Sequence, residues 1–277
     1  MGDWLSRVPI WQLGLALFLV SVAALIAGAR ASGWIAGKSN GLGQLTEAQE
    51  GYVVTTVYTL LGLLVGFTFS IAIDRYQSRR DLVVRDAAAI EQLYLQTQLL
   101  GEPHRSRVSD LLARYAANHV ELARATHDDA EAGKLIAEDD VLRRDLWTAT
   151  VPAFQSIAGT DFSSLFVQSV NEVLTTDAAR KAARRSEIPR AIIVLLILYS
   201  IVAAALLGAV MRTRRGQIIG VIVIALSVTV LTLITDINRP VEGTIHESQE
   251  PMERMISRLK ANPPATYQRL AESPQPQ

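Results

Sequence analysis

Four stretches, residues 10–31, 52–73, 191–211 and 218–235, run apolar and hold one charged side chain between them, Arg30. Each is about as long as a helix that crosses the hydrocarbon core of a bilayer. Lipid offers the backbone no hydrogen-bond partner, so each stretch must satisfy its own amide groups, as a helix does. The last two are joined only by Arg212-Thr213-Arg214-Arg215-Gly216-Gln217, which folds them back on each other as an antiparallel hairpin. The fourth is rich in Val, Ile and Thr, a strand-like composition, but its length and its neighbour favour a spanning helix. The first is flanked by Trp4, Trp11 and Trp34, indoles suited to the membrane interface. Ala27-Gly28-Ala29 could also end a cleaved signal peptide; the long apolar run and Asp3 beside the single Arg7 favour a retained span. Within it, Ser21, Ala24, Gly28 and Ser32 form a stripe of small residues suited to close helix packing.

The second stretch does not stop at the membrane. Residues 51–100 are expected to form one long helix, uncharged to Ile73 and charged from Asp74, with no proline or glycine from there to Gly101. Thr55, Thr59, Gly62, Gly66, Ser70 and Ile73 share one side of it, while Val57, Leu61, Leu64, Thr68 and Ala72 fall opposite. A helix facing only lipid needs the bulky face; the small, polar one must meet other helices or water. Gly62-Leu63-Leu64-Val65-Gly66 is a small-xxx-small motif. Packing inside the subunit is one reading of this face, and a pore-facing or subunit-facing stripe is the other.

Outside the spans the apolar spacing predicts more helices and no sheet. One carries Val108, Leu111, Leu112, Tyr115, His119 and Leu122; another runs from Asp140 through Leu142, Leu146, Trp147 and Val151 to a kink or restart at Pro152. A third covers residues 165–187, capped by Ser163 or Ser164, with Phe166, Val170, Val173 and Leu174 inward. Met252, Met255, Ile256 and Leu259 predict a short amphipathic helix. Residues 31–50 and 127–133 read as loops. The chain is therefore expected to be an all-α integral membrane protein in five parts: a transmembrane pair (1–73), a helical extramembrane region (74–190), a transmembrane hairpin (191–235), a post-membrane segment (236–261) and a disordered tail with four prolines (262–277). Four spans put both termini and the helical region on one side. Near the membrane that side carries twelve Lys and Arg residues against five on the other, which favours a cytoplasmic location in a multi-pass cell-membrane protein. The three arginines of the hairpin loop point the other way.

Chemistry-bearing motifs are sparse. Lys and Arg total 27, as do Asp and Glu, so no net field points to nucleic acid, and the absence of cysteine removes disulfides and thiolate ligands. None of His104, His119, His127 and His246 sits in a zinc-protease pattern, and His119, on an apolar helix face, is expected to be a satisfied imidazole rather than a ligand. Asp128/Asp129/Glu131 and Glu138/Asp139/Asp140 lack the spacing of a calcium loop and read as solvated charge. No catalytic residue, metal site or cofactor is expected, and the chain does not read as an enzyme. After the fourth span, Asp236-Ile237-Asn238-Arg239-Pro240-x-x-Gly243 describes a rigid turn. Asp236, Asn238 and Arg239, with Arg75, Arg79 and Arg80, are candidates for a structural clamp there.

The run Gly66-Phe67-Thr68-Phe69-Ser70-x-Ala72-x-x-Arg75-Tyr76-x-x-Arg79-Arg80-x-Leu82-Val83 resembles the bacterial bestrophin-like family of poorly characterised membrane proteins. The resemblance continues through residues 87–94, Leu146-Trp147, Asn171-Glu172 and Ile188-Pro189 to the turn at Asp236 and to Ser248-Gln249-x-Pro251. Where the family tends to have Glu-Ala-Asn-Ala-Ile-Gly-Thr, this chain has Asp86-Ala87-Ala88-Ala89-Ile90-Glu91-Gln92, which removes the family's asparagine and glycine. True bestrophins share the layout of two spans, a cytosolic helical region and two more spans, and assemble as pentameric channels whose second span lines the pore. The resemblance thus implies a homo-oligomeric, pentameric ion channel in the lipid bilayer, with Thr55, Thr59, Gly62, Gly66, Ser70 and Ile73 along the pore. It leaves the permeant ion open, an anion being slightly preferred. The alternative is a non-conducting membrane anchor or signalling scaffold whose helical region binds a partner. No acidic cluster matching a bestrophin calcium clasp follows the last span; Glu242, Glu247 and Glu250 are too dispersed.

Overall fold

The computed structural model describes residues 8–38, 46–125, 129–186, 188–239 and 243–272. Among these the chain forms helices only: α1 (Ile10–Lys38), α2 (Glu47–Thr97), α3 (His104–Arg124), α4 (Asp129–Ser156), α5 (Asp161–Arg185), α6 (Arg190–Val210), α7 (Arg214–Ile237), α8 (Glu250–Ala261) and α9 (Pro264–Glu272). They divide into two compact units, Met1–Tyr76 with Glu187–His246, and Gln77–Ser186 with Glu247–Gln277. Four helical stretches, in α1, α2, α6 and α7, are long and apolar enough to cross a membrane, as the four apolar blocks require. The fold is that of an all-α, multi-span membrane protein with a helical extramembrane region.

In the first unit α1 packs against α6 and α7. The contact between α1 and α6 is made by glycines. A Cβ built on Gly28 would lie 1.9 Å from the Ala205 carbonyl oxygen, and one on Gly208 would lie 1.9 Å from that of Leu25. Backbone meets backbone at both points, as small residues allow where no hydrophobic effect drives helices together. Leu25, Ala204, Leu207, Ile224 and Val228 fill the space between the three helices, with Val54 and Tyr58 of α2 against them. Ala72, Ile188, Ile234 and Ile237 form a separate cluster that also takes Val65, Phe69 and Ile73.

The second unit has a conventional core. Ile90, Leu93, Leu112, Tyr115, Leu142, Leu146, Phe166, Val170, Met252 and Met255 are all fully buried in it. Those of α3, α5 and α8 are the faces that the spacing predicts.

Several boundaries differ from expectation. The loop at 31–50 is shorter, because α1 runs to Lys38 and α2 begins at Glu47. Thr46 and Gln49 close a reciprocal capping box, Thr46 N–H to Gln49 Oε1 at 2.9 Å and Gln49 N–H to Thr46 Oγ1 at 3.4 Å, which starts the helix there. Of the loop at 127–133, His127 and Asp128 lie outside the described residues, and α4 starts at Asp129, passing through Gly133 and Pro152 as one helix. α5 begins at Asp161, ahead of both candidate capping serines. The tail from 262 is not structureless over Pro264–Glu272, which is helical. Proline suits a first helical turn, where its missing N–H costs nothing, and Tyr267 packs on the core. Residues 273–277 lie outside the described set.

Candidate functional site

Along the membrane half of α2 the bulky face packs within the chain. Leu61, Thr68 and Ala72 are buried, and the Thr68 hydroxyl donates back to the Leu64 carbonyl at 2.8 Å, so its polarity is absorbed by the helix itself. The small face points outward: Thr55, Thr59, Gly62, Gly66 and Ser70 are all exposed, and a Cβ on Gly62 or Gly66 would meet nothing within 4 Å. The small-xxx-small motif therefore makes no helix contact inside this chain. Ile73 departs from the stripe, half-buried and packed against the Ala72, Ile188, Ile234 and Ile237 cluster.

The turn after α7 is tied by side chains that sequence singled out, with other partners. Asp236 is buried; its Oδ1 accepts from the Thr244 backbone N–H at 2.7 Å and its Oδ2 from the Thr244 hydroxyl. Asp236 thus closes the turn locally instead of pairing with an arginine. Asn238 Oδ1 accepts from the Ile188 N–H at 2.8 Å, joining the entry of α6 to the exit of α7. Arg239 Nη1 donates to the Val8 carbonyl at 2.9 Å. Asn238→Ala, which leaves the Ile188 N–H unanswered, is expected to destabilise the protein by about 1–3 kcal/mol. Asn238→Asp, which keeps the acceptor, should recover most of that in thermal unfolding of detergent-solubilised protein. In the second unit Arg79 is buried in an ion pair with Glu247, while Arg80 is exposed and Arg75 half-buried.

The second unit also holds a network that sequence reasoning missed. Asp86 on α2, Tyr115 and His119 on α3, Asp139 on α4, Asp177 and Arg180 on α5 are all buried, beside a partly exposed Lys181. His119 Nδ1 lies 2.9 Å from Asp86 Oδ2, and its Nε2 lies 3.1 Å from Asp139 Oδ1 and 3.4 Å from Asp177 Oδ1. Arg180 donates to Asp86 Oδ2 at 2.7 Å and to Gln249 Oε1 at 2.8 Å. Lys181 Nζ bridges Asp139 Oδ2 and Asp177 Oδ2, the latter at 2.8 Å. Three carboxylates face two permanent cations and one imidazole, so the network is neutral when His119 is protonated. Burial disfavours that charge, but the hydrogen bonds that the ring donates to Asp139 and Asp86 outweigh it and hold the His119 pKa above its ordinary value. Burial likewise acts to raise Asp86, and its His119 and Arg180 contacts reverse this and keep it below the usual carboxylate range. Asp139 is lowered in the same way, burial being overcome by His119 and Lys181. The Tyr115 ring lies 4.2 Å from that of His119, and burial followed by the facing carboxylates of Asp177, Asp139 and Asp86 pushes its phenol pKa upward.

The network contains no Ser, Thr or Cys nucleophile. It binds four helices through charge, and His119 Nε2 and the Oδ1 atoms of Asp139 and Asp177 converge within it. The apolar period placed His119 on the inward face of α3. Nothing in the spacing told that carboxylates from α2, α4 and α5 would arrive around it.

Against solved structures the chain is similar to variants of a bacterial bestrophin homolog from Klebsiella pneumoniae. One is 17% identical with a TM-score of 0.66, over 92% of this chain and 98% of that one; another is 16% identical with a TM-score of 0.64, over 95% and 99%. At that identity the likeness is one of fold. A search of curated proteins finds no match. The family model described as the Bestrophin-like domain matches residues 16–252, and on that match the chain belongs to the bestrophin-like family.

Proposed function

We propose that this protein is a subunit of a homo-oligomeric, pentameric ion channel of the cell membrane, with α2 lining the pore and the second unit in the cytoplasm. The observation that carries this reading is the outward small face of α2. Thr55, Thr59, Gly62, Gly66 and Ser70 are turned away from the chain's own helices, where lipid alone would favour bulk, and hydroxyls on a pore wall offer polar contacts to a passing ion. A second face supports assembly: Trp147, Val151 and Phe154 of α4 are between 38% and 48% exposed in the extramembrane unit, and their spacing makes one apolar stripe. Outside a membrane such a stripe calls for a protein cover, which a second copy of the chain supplies.

The test is native mass spectrometry of the protein in nanodiscs followed by recording in planar bilayers. A ring that conducts is expected. A Cβ on Gly66 meets nothing of its own chain within 4 Å, so Gly66→Leu should leave thermal stability unchanged or raise it by up to about 1 kcal/mol, while conductance falls several-fold. A monomer overturns the channel reading, and an electrically silent ring favours a scaffold.

A further inference from the structure

We propose that His119, Asp139 and Asp177 form a site for a divalent transition-metal cation, with zinc the best match to the donors. The three ligand atoms, His119 Nε2 and one carboxylate oxygen from each aspartate, lie within 4.8 Å of one another. They come from α3, α4 and α5, so one cation would lock three helices. Zinc holds nitrogen and oxygen ligands at about 2.0–2.2 Å in a tetrahedron, which spaces neighbouring ligand atoms by roughly 3.3–3.6 Å. The observed 3.1 and 3.4 Å from Nε2 to the two Oδ1 atoms need only a few tenths of an ångström of adjustment.

The surroundings match what a metal-bound histidine requires. Asp86 Oδ2 and Arg180 Nη1 both meet the far ring nitrogen, Nδ1, at 2.9 and 3.1 Å; with Nδ1–H donated to Asp86, as in a carboxylate–histidine–metal arrangement, Nε2 is left for the cation. Lys181 occupies the Oδ2 atoms of Asp139 and Asp177, so it orients both carboxylates without covering the Oδ1 atoms. Tyr115 adds to this. Its side chain is fully buried, it faces the same carboxylates with Asp177 as a weak acceptor, and its hydroxyl makes no hydrogen bond of good geometry. Asp86 Oδ1 is likewise buried without one. A fourth ligand such as a metal-bound water would answer the phenol. One imidazole and two carboxylates suit zinc or another transition ion better than calcium, which takes six to eight oxygens. A proton on Nε2 occupies the same position, so the cation enters by displacing it.

The experiment uses the full-length protein in nanodiscs, stripped with chelator and titrated with zinc chloride alone. One zinc per chain is expected, with proton release and a raised melting temperature. Asp139→Asn and Asp177→Asn should each weaken binding at least tenfold, and Asp86→Asn by about 10–100-fold, whereas His104→Ala and His246→Ala should leave it unchanged. If a network variant does not fold, X-ray absorption at the zinc edge of the loaded parent decides the question. A first shell of nitrogen and oxygen with a single imidazole is expected. No stoichiometric zinc, two or more imidazoles, or binding undiminished in folded Asp139→Asn and Asp177→Asn would overturn the site.

Discussion

Gly28→Ala is expected to destabilise the first unit by about 3 kcal/mol or more, a large effect for one methyl group. Overpacking typically costs about 1–3 kcal/mol, and here the added carbon would stand 1.9 Å from a carbonyl oxygen of α6, so no side-chain rotation relieves it. The helices must part, and the contacts of Leu25 with Ala204 and Leu207 go with them. Gly208→Ala, which would strike the Leu25 carbonyl at the same distance, should match it. The double variant should cost clearly less than the sum, because helices already separated by one methyl accommodate the other, and touching sites do not add. Gly62→Ala is the internal comparison. With nothing within 4 Å it is expected to be neutral in the isolated chain or to stabilise it by up to about 1 kcal/mol through helix propensity. Thermal unfolding in detergent, followed by tryptophan fluorescence, ranks the four.

How much of this was legible beforehand differs by link. The spans were, since a bilayer imposes length and charge-free composition on the sequence itself, and the stripe containing Gly28 was legible as a packing surface. Its partner Gly208 was missed, although Ser200, Ala204 and Gly208 make the same four-spaced small stripe on α6 and are all buried. The faces of α2 could be sorted by size but not by direction; only the packed helices tell that the small face is the outward one. The charge network was hidden for a different reason. Asp139 sits in an acidic run that reads as solvent-exposed, and what buries it is the arrival of His119, twenty residues earlier, and Lys181, forty-two later. Local periodicity reports which way a residue points. It does not report which distant charge it meets.

That network also supports the other large effect. Arg180→Met should destabilise metal-free protein by about 3–5 kcal/mol, the range for removing one member of a buried ion pair. Asp86 would keep its charge, fully buried, with His119 as its only cation and one oxygen already unpartnered. The charge count fixes the rescue. Asp86→Asn together with Arg180→Met leaves Asp139 and Asp177 against His119 and Lys181, a balanced set, so the double variant should recover most of the loss despite removing more charge. Arg254→Ala, which breaks the exposed Arg254–Glu250 pair, should change stability by at most about 0.5 kcal/mol. The pH dependence has a definite sign. Asp86 has a folded-state pKa below its unfolded value, so the stability it contributes is present above the unfolded value and is lost as pH falls through the depressed one. Arg180 is part of what depresses it, so the gap between parent and Arg180→Met should be widest near neutral pH and close in acid, where protonated Asp86 no longer needs the guanidinium. A gap that stays constant down to the acid limit would mean that Arg180 acts through packing of its stem and not through Asp86.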